Sequence, residues 1–180
     1  AANLTPLLAT ALKQASMYIE ESTTLSQTQK DYVSELLLRE TGTAEALLRT
    51  LSQVAKPNID AIAVTHGPGL EPALWVGINF ARALAYLWDL PIIPVNHLEG
   101  HLVASAVTRD AQKINRYTID PVTFPVLGLI LSGGHTEFVH AQSWGKYVTV
   151  GATRDDSIGE AFDKVARIMD IPYPGGPELS

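Results

Sequence analysis

Apolar residues recur at helical spacing in the first third of the chain, and this periodicity predicts three helices. The first begins at Thr5-Pro6, with Thr5 as N-cap and Pro6 at the first helical position. A second is predicted from Gln29 to Glu40 and is ended by Thr41-Gly42; a third begins at Thr43. We interpret all three as scaffold and assign them no chemistry.

Short apolar runs then alternate with longer helical patterns. Residues 59–65 predict a buried strand, the His66-Gly-Pro-Gly69 loop follows it, and Glu71-Pro72 starts a helix that ends near Asp89. Residues 91–96 form a second apolar strand that leads into a helix beginning near His97. Strands that alternate with helices in this way predict an α/β fold.

The last third of the chain begins with a predicted β-hairpin. Strands from Phe124 and up to His140 flank a tight Ser132-Gly-Gly134 turn, and residues 146–152 predict a third strand. A helix over 157–170, capped by Asp155 or Asp156, then carries an apolar stripe that we expect to be buried. The stripe consists of Ile158, Phe162, Val165 and Met169.

Composition restricts the class of protein. The 180 residues are 46% hydrophobic and 18% charged, which is typical of a globular chain. The net charge is −6 without a basic run, so the chain lacks the usual footprint of a nucleic-acid-binding surface. There is no cysteine, which leaves His, Asp and Glu as possible metal ligands.

No apolar run approaches the roughly 18 residues of a membrane span, and no secretory signal is visible at the start. We therefore expect a cytoplasmic protein without a membrane partner. The chain starts at Ala1 rather than at a methionine and stops just after a Pro-Gly-Gly-Pro turn. These ends are the pattern expected of a piece of a longer polypeptide.

His97 and His101 are the first candidates for chemistry. Four residues of helix advance by about 400°, so both imidazoles return to nearly the same face and can reach one metal ion. Imidazole suits Zn or Fe, and Gly100 between them removes a side chain that would block close approach. The alternative is that one histidine caps the helix and the other packs in the core.

Glycine turns supply the other candidates. Gly133 and Gly134 would let the backbone come within hydrogen-bonding reach of a phosphate, although an ordinary hairpin turn explains them as well. The glycine loop at 66–69 can hold an anion at a helix N-terminus or can simply turn the chain. Glu160, Asp163 and Arg167 share a helix face, which a solvated surface with an Asp163–Arg167 pair would also explain.

Taken in order, these segments resemble the motifs of the TsaD family, the tRNA threonylcarbamoyladenosine transferases, and most closely its bacterial branch. Five motifs carry the resemblance over residues 59–180. They are His66-Gly-Pro-Gly-Leu70, Asn96-His-Leu-Glu-Gly-His101, Leu131-Ser-Gly-Gly-His-Thr136, Asp156-Ser-Ile-Gly-Glu-Ala-Phe-Asp-Lys164 and Tyr173-Pro-Gly-Gly-Pro177.

The resemblance implies a two-lobed fold like that of the actin, hexokinase and Hsp70 ATPases, with the ligand between the lobes. It implies transfer of a threonylcarbamoyl group from threonylcarbamoyl-AMP to N6 of adenosine 37 in tRNAs that read ANN codons. The family's usual helpers, a non-catalytic paralogue (TsaB-type) and a small ATPase (TsaE-type), are implied as partners alongside the tRNA.

Individual residues match the family's functional positions. His97 and His101 match its two histidine ligands for one divalent metal ion, Fe(2+) or Zn(2+). Asp163 and Gly176 match residues that contact the nucleoside part of the adenylate. His135 and Glu99 are secondary catalytic candidates, and Glu99 points away from the imidazoles on a regular helix because two residues rotate by about 200°. The segment that matches the acyl-phosphate hairpin comprises Ile130, Leu131, Ser132, Gly133 and Gly134.

The chain also departs from the family pattern. It lacks the N-terminal strand hairpin, the later adenosine-contacting segment and the aspartate that completes the metal site, and it carries a helical insertion near 20–55. Residues 1–115 are assigned to part of the first lobe and 116–180 to the start of the second. With two metal ligands of three, this fragment alone is expected to be inactive.

Two other functions fit parts of this pattern. A metallopeptidase, the class once assigned to relatives of this family, would need H-E-x-x-H, whereas here the Glu is displaced by one residue and turned away. A non-catalytic paralogue that supports a transferase as a scaffold would typically lack the metal histidines, and both are present.

Overall fold

The computed structural model describes residues 3–40, 42–111 and 116–179 and shows a mixed α/β chain with small sheets. The chain packs as two compact units, of which the first ends at His97 and the second begins at Leu98. The predicted α/β class is therefore confirmed at this coarse level.

Four helices build the core of the first unit: α1 (Leu4–Gln14), α2 (Gln27–Leu36), α3 (Thr43–Leu51) and α4 (Glu71–Trp88). All four were predicted, and Pro72 lies in the first turn of α4 as expected. Their apolar stripes converge because leucine, valine and aromatic side chains at helical spacing share one face of each helix. The buried cluster consists of Val33, Leu37, Leu47, Leu51, Phe80, Ala83, Leu84 and Trp88.

The helix starts differ from the prediction in two places. Asn3, not Thr5, occupies the N-cap position of α1, and Thr5 lies buried inside the helix. The second helix begins at Gln27 rather than Gln29 because Ser26 forms a capping box with Gln29, and it ends at Leu36 rather than at Glu40. Thr41, predicted to help end it, lies outside the described residues.

A two-stranded parallel sheet completes the first unit, with β1 (Ile62–Gly67) beside β2 (Ile92–Asn96). The predicted buried strand at 59–65 starts three residues later, and every residue of β1 is half-buried or exposed. The expectation of burial was wrong because, within the described part of the chain, β1 and β2 make up a sheet of only two strands.

The second unit is built on an antiparallel sheet with the order β5-β6-β7: β5 (Val126–Leu131), β6 (Thr136–Ser143) and β7 (Lys146–Ala152). The predicted hairpin is confirmed, with Leu131 opposite Thr136 at its closed end. The predicted third strand is also confirmed, with the same bounds.

The other elements of this part of the chain lie on either side of that sheet in sequence. They are α5 (His97–Ala104), the short antiparallel pair β3 (Val107–Arg109) and β4 (Tyr117–Ile119), α6 (Ile158–Ile168) and α7 (Gly176–Leu179).

Helix α6 corrects two predictions. Its N-cap is Ser157, not Asp155 or Asp156, because Ser157 and Glu160 form a capping box. Its apolar stripe was expected to be buried, yet Phe162 and Val165 are 42% and 49% exposed. Spacing places these residues on one face, and among the described residues this face is only partly covered.

The predicted lobe boundary after residue 115 falls beside residues 112–115, which lie outside the described residues. The compact units divide between His97 and Leu98, so the β3–β4 pair falls within the second unit. The assignment of 1–115 and 116–180 to two lobes stays a prediction.

Across the described ranges, each helix is too short or too polar to cross a membrane.

Candidate functional site

The two histidines lie in one continuous helix, as predicted. Strand β2 ends at Asn96, His97 is the first residue of α5, and His101 follows one turn later. Both histidines are exposed. A Cβ added at Gly100 would have no other atom within 4 Å, so this part of the helix faces open space.

The donor set partly fits a divalent metal ion. Two imidazoles one turn apart can reach a common ion, and imidazole is a suitable ligand for Zn or Fe. No group of three His, Asp or Glu side chains suited to a metal occurs among the described residues. His97 and His101 are therefore two candidate ligands one turn apart on α5.

Glu99 lies between the two histidines but is held on another side of the helix. Its Oε1 accepts a hydrogen bond of 2.9 Å from the hydroxyl of Tyr147 on β7. Burial raises the pKa of the Tyr147 hydroxyl above its ordinary value; a backbone hydrogen bond at Gly145 lowers this pKa, and the hydrogen bond with Glu99 raises it further. The predicted orientation of Glu99 away from the imidazoles agrees with this contact.

Leu102 provides a second contact between α5 and the sheet. A Cβ added at Gly128 of β5 would overlap the Leu102 Cδ2 atom, so the glycine lets the leucine side chain lie against the strand backbone. A cavity of about 660 Å³ in this unit is lined by His101, Leu102, Trp144, Tyr147 and strand β5.

The closed end of the β5–β6 hairpin is organised by Ser132. Its Oγ accepts hydrogen bonds from the amides of Gly134 and His135, at 3.3 and 2.9 Å, and its own amide donates to the His135 carbonyl. The Ile130 side chain is buried, so this residue would contact a ligand through its backbone. His135 is at the tip, as predicted, where its backbone helps to close the turn.

Helix α6 begins against this hairpin tip. The buried Ser157 hydroxyl donates to the Gly133 carbonyl at 2.6 Å, and the Ile158 amide donates to Thr136 Oγ1 at 2.8 Å. A Cβ added at Gly159 would lie 2.7 Å from Gly133 Cα, which is closer than side chains tolerate. The glycine therefore lets two backbones touch at the predicted phosphate-binding turn.

Asp163 connects α6 to the Pro-Gly-Gly-Pro turn. Its Oδ1 accepts hydrogen bonds from the amides of Gly175 and Gly176, at 2.9 and 3.3 Å. Gly175 is buried against Ala166, and a Cβ added there would overlap the Ala166 side chain. Asp163 and Arg167, which both lie in the described part of the chain, do not form the ion pair that the solvated-face alternative predicted.

A lysine on α6 makes an exposed ion pair at the start of the same helix. Lys164 Nζ lies 2.5 and 2.6 Å from the two carboxylate oxygens of Asp156. The hydrogen bond with Asp156 raises the pKa of Lys164 above its ordinary value.

The structure thus joins the predicted residues into two groups in the second unit. Gly133, Gly134 and His135 lie at the N-terminus of α6, and Asp163 lies with Gly176 further along this helix. Sequence reasoning missed Ser157, Gly159 and Tyr147. The Ser157-x-x-Glu160 pattern is a readable capping box, whereas nothing local in the sequence links Tyr147 to Glu99, 48 residues away.

Comparisons with known proteins agree with this motif order. The family model described as "TsaD: tRNA N6-adenosine threonylcarbamoyltransferase" matches residues 41–180. A Staphylococcus haemolyticus protein named tRNA N6-adenosine threonylcarbamoyltransferase is 49% identical over 139 residues, which is 77% of this chain and 37% of that protein. A Thermomicrobium roseum protein of the same name is 53% identical over 121 residues, covering 67% of this chain and 32% of the relative.

By their names these relatives are tRNA-modifying transferases. The chain belongs to the TsaD family. It spans about a third of the length of these relatives, and α1 and α2 precede the matched region.

Proposed function

We propose that the protein containing this chain transfers a threonylcarbamoyl group from threonylcarbamoyl-AMP to N6 of adenosine 37 in ANN-decoding tRNAs. Family membership and the names of the relatives support the transferase class. The substrate, the position on the tRNA and the tRNA set come from the motif resemblance alone.

The observation that carries the proposal is the contact between the hairpin tip and α6. A Cβ added at Gly133 or Gly134 would have no other atom within 4 Å, so a ligand can approach the backbone of this turn closely. The Ser132 hydroxyl now accepts the amides of Gly134 and His135. A phosphate oxygen of the adenylate is a stronger acceptor and would take over these donors.

Asp163 and Gly176 would position the nucleoside part. One carboxylate oxygen of Asp163 already orders the glycine turn through two amides, so the other oxygen is the one we assign to the nucleoside. In this arrangement Asp163 acts both on the turn and on the ligand.

His97 and His101 would hold one divalent ion, Fe(2+) or Zn(2+), together with a further ligand from outside the described residues. When bound there, such an ion would supply Lewis-acid stabilisation of negative charge on the phosphate or carbamoyl oxygen. The two histidines lie on an exposed helix face, where the ligand can approach. Glu99 accepts the Tyr147 hydroxyl, and we assign it no direct bond to the ion.

We further propose that the whole protein has the two-lobed fold of the actin, hexokinase and Hsp70 ATPases, works in the cytoplasm, and acts with a TsaB-type paralogue and a TsaE-type ATPase. The net charge of −6 favours this dependence on other surfaces, because an acidic segment repels the tRNA backbone.

The test uses the full-length parent with its partner proteins. Labelled threonine, bicarbonate, ATP, the adenylate-forming enzyme and tRNA are supplied, and label is measured in tRNA. We expect incorporation by the wild-type protein and its loss in a His97→Ala/His101→Ala variant. The matched control is His140→Ala on β6, a histidine outside the proposed site.

No incorporation by a folded, metal-loaded wild-type protein would overturn the proposal and favour the scaffold function. Incorporation that survives loss of both histidines would support the transferase activity but show that it does not depend on a metal bound by His97 and His101. A peptide-cleavage screen on the same samples tests the metallopeptidase alternative, for which we expect no activity.

A further inference from the structure

Helix α5 has little of its own to fix its orientation. It has eight residues, none of them buried, and carries Gly100 in its middle. Isolated helices of this length are marginal in water, and an internal glycine weakens them further. Contacts that other elements make with α5 therefore contribute to the orientation of the two histidines.

Two described contacts act on one side of this helix. Glu99 accepts the Tyr147 hydroxyl at 2.9 Å, and Leu102 lies against Gly128. Glu99 and Leu102 are three residues apart and share a face, whereas His97 and His101 share another face about 150° away from it. Contacts on the first face constrain the rotation of α5 and thereby the direction of both histidines.

From this geometry we propose that Tyr147 is a positioning residue for the histidine pair and that it acts through Glu99. Its hydroxyl on β7 holds the carboxylate, the carboxylate fixes the rotation of α5, and the rotation fixes both imidazoles on the exposed face. The proposal rests on the proposed function in one respect, that His97 and His101 are metal ligands.

The position of Tyr147 in the fold supports this role. It is half-buried at the start of β7, in the wall of the cavity that His101 also lines. Sheet strands are stiffer supports than loops, so a hydroxyl on β7 gives Glu99 a fixed partner. Residues that hold metal ligands in place typically change metal affinity by about 10- to 100-fold when they are removed.

The experiment measures metal affinity of the full-length parent by competition between Co(II) and a chromophoric chelator, and records the visible spectrum of bound Co(II). The variants are Tyr147→Phe, Glu99→Ala and the double variant. Tyr117→Phe serves as the matched control, since it removes a hydroxyl from a 58% exposed tyrosine of the same unit. Circular dichroism and thermal unfolding check that each variant is folded.

We expect Tyr147→Phe to weaken Co(II) binding about 10-fold and to alter the Co(II) spectrum, while Tyr117→Phe changes neither. Adding Tyr147→Phe to Glu99→Ala should have no further effect, because the hydroxyl then has no carboxylate to hold. Comparing the two single variants with the double variant in this way separates positioning through Glu99 from a general effect on folding.

Wild-type affinity and spectrum in a folded Tyr147→Phe variant would overturn the proposal, and so would equal effects of Tyr147→Phe with and without Glu99. Absence of histidine-dependent Co(II) binding in the wild-type protein would overturn it as well. The tRNA-labelling assay is scored separately, so the transferase can stand when the positioning role fails.

Discussion

The Ser157 hydroxyl donates to the Gly133 carbonyl at 2.6 Å, across 24 residues of sequence. This contact places the N-cap of α6 directly on the tip of the β5–β6 hairpin. Ser157 thus has two functions, since it caps its own helix with Glu160 and locates that helix on the glycine turn.

Gly159→Ala tests the close approach of α6 to the hairpin. The new Cβ would lie 2.7 Å from Gly133 Cα and 2.9 Å from the Ser132 carbonyl oxygen, so the two backbones must separate. We expect a loss of about 1–3 kcal/mol in the free energy of unfolding and weaker adenylate binding. Urea unfolding and calorimetric titration measure the two effects.

Gly151→Ala is the control for this substitution, because its Cβ would meet Phe138 Cδ2 at an ordinary 3.8 Å. Equal effects of the two substitutions would show that the close approach at Gly159 has no special importance.

Asp163→Asn separates the structural role of Asp163 from its proposed contact with the ligand. The amide oxygen of Asn can still accept the Gly175 and Gly176 amides, so we expect stability close to wild type. Asp163→Ala removes that acceptor and should cost about 1–3 kcal/mol. Thermal unfolding ranks the three proteins.

Adenylate affinity then tests the ligand contact. It should fall in both variants when the second carboxylate oxygen binds the nucleoside. Wild-type affinity in a stable Asp163→Asn protein would restrict Asp163 to the ordering of the glycine turn.

His97→Ala and His101→Ala should each abolish metal retention without unfolding the protein. Both side chains are exposed, so their removal leaves no cavity in a core. Metal content by elemental analysis and thermal unfolding of the full-length protein measure the outcome. Stoichiometric metal in both variants would show that His97 and His101 are not metal ligands.

Gly128→Ala should disturb α5 through Leu102. The added Cβ overlaps the end of the leucine side chain, which must then rotate away or push the helix from the strand. We expect weaker Co(II) binding than in the wild-type protein, and we expect Leu102→Ala to restore part of it by making room. Unchanged Co(II) affinity in the Gly128→Ala protein would show that the contact between Leu102 and Gly128 contributes to packing but not to metal binding.

The Lys164–Asp156 pair gives a prediction for high pH. The folded-state pKa of Lys164 is raised above its ordinary 10.5 by Asp156, so the pair stabilises the fold below that ordinary value. This stabilisation is lost as pH rises through the folded-state pKa. The difference in urea midpoint between wild type and Lys164→Met should therefore shrink above about pH 10.5.

Wild type and Lys164→Met both contain Tyr147, so any effect of its titration on the urea midpoint is common to both and drops out of the difference. High salt should also reduce the difference, because the pair is exposed. A midpoint difference that stays constant from pH 8 to above the lysine range would contradict the assignment.

Local patterns determined most of the elements of this protein. The β5–β6 hairpin follows from strand-forming runs on either side of the tight Ser132-Gly-Gly134 turn, and α4 follows from Pro72 and its helical apolar stripe. The start of α5 at His97 follows from an apolar strand that runs into a helical segment. Periodicity and turn chemistry act over a few residues, so one sequence suffices to read them.

Tertiary structure decided which of these elements touch. Contacts such as Tyr147 with Glu99, Ser157 with Gly133, and Gly128 with Leu102 join residues 24 to 48 positions apart, and no local periodicity encodes such pairings. The same reason explains the error at α6, since spacing places Phe162 and Val165 on one face but cannot say what covers it. The sequence determined the elements and their motifs, and packing determined how the motifs meet.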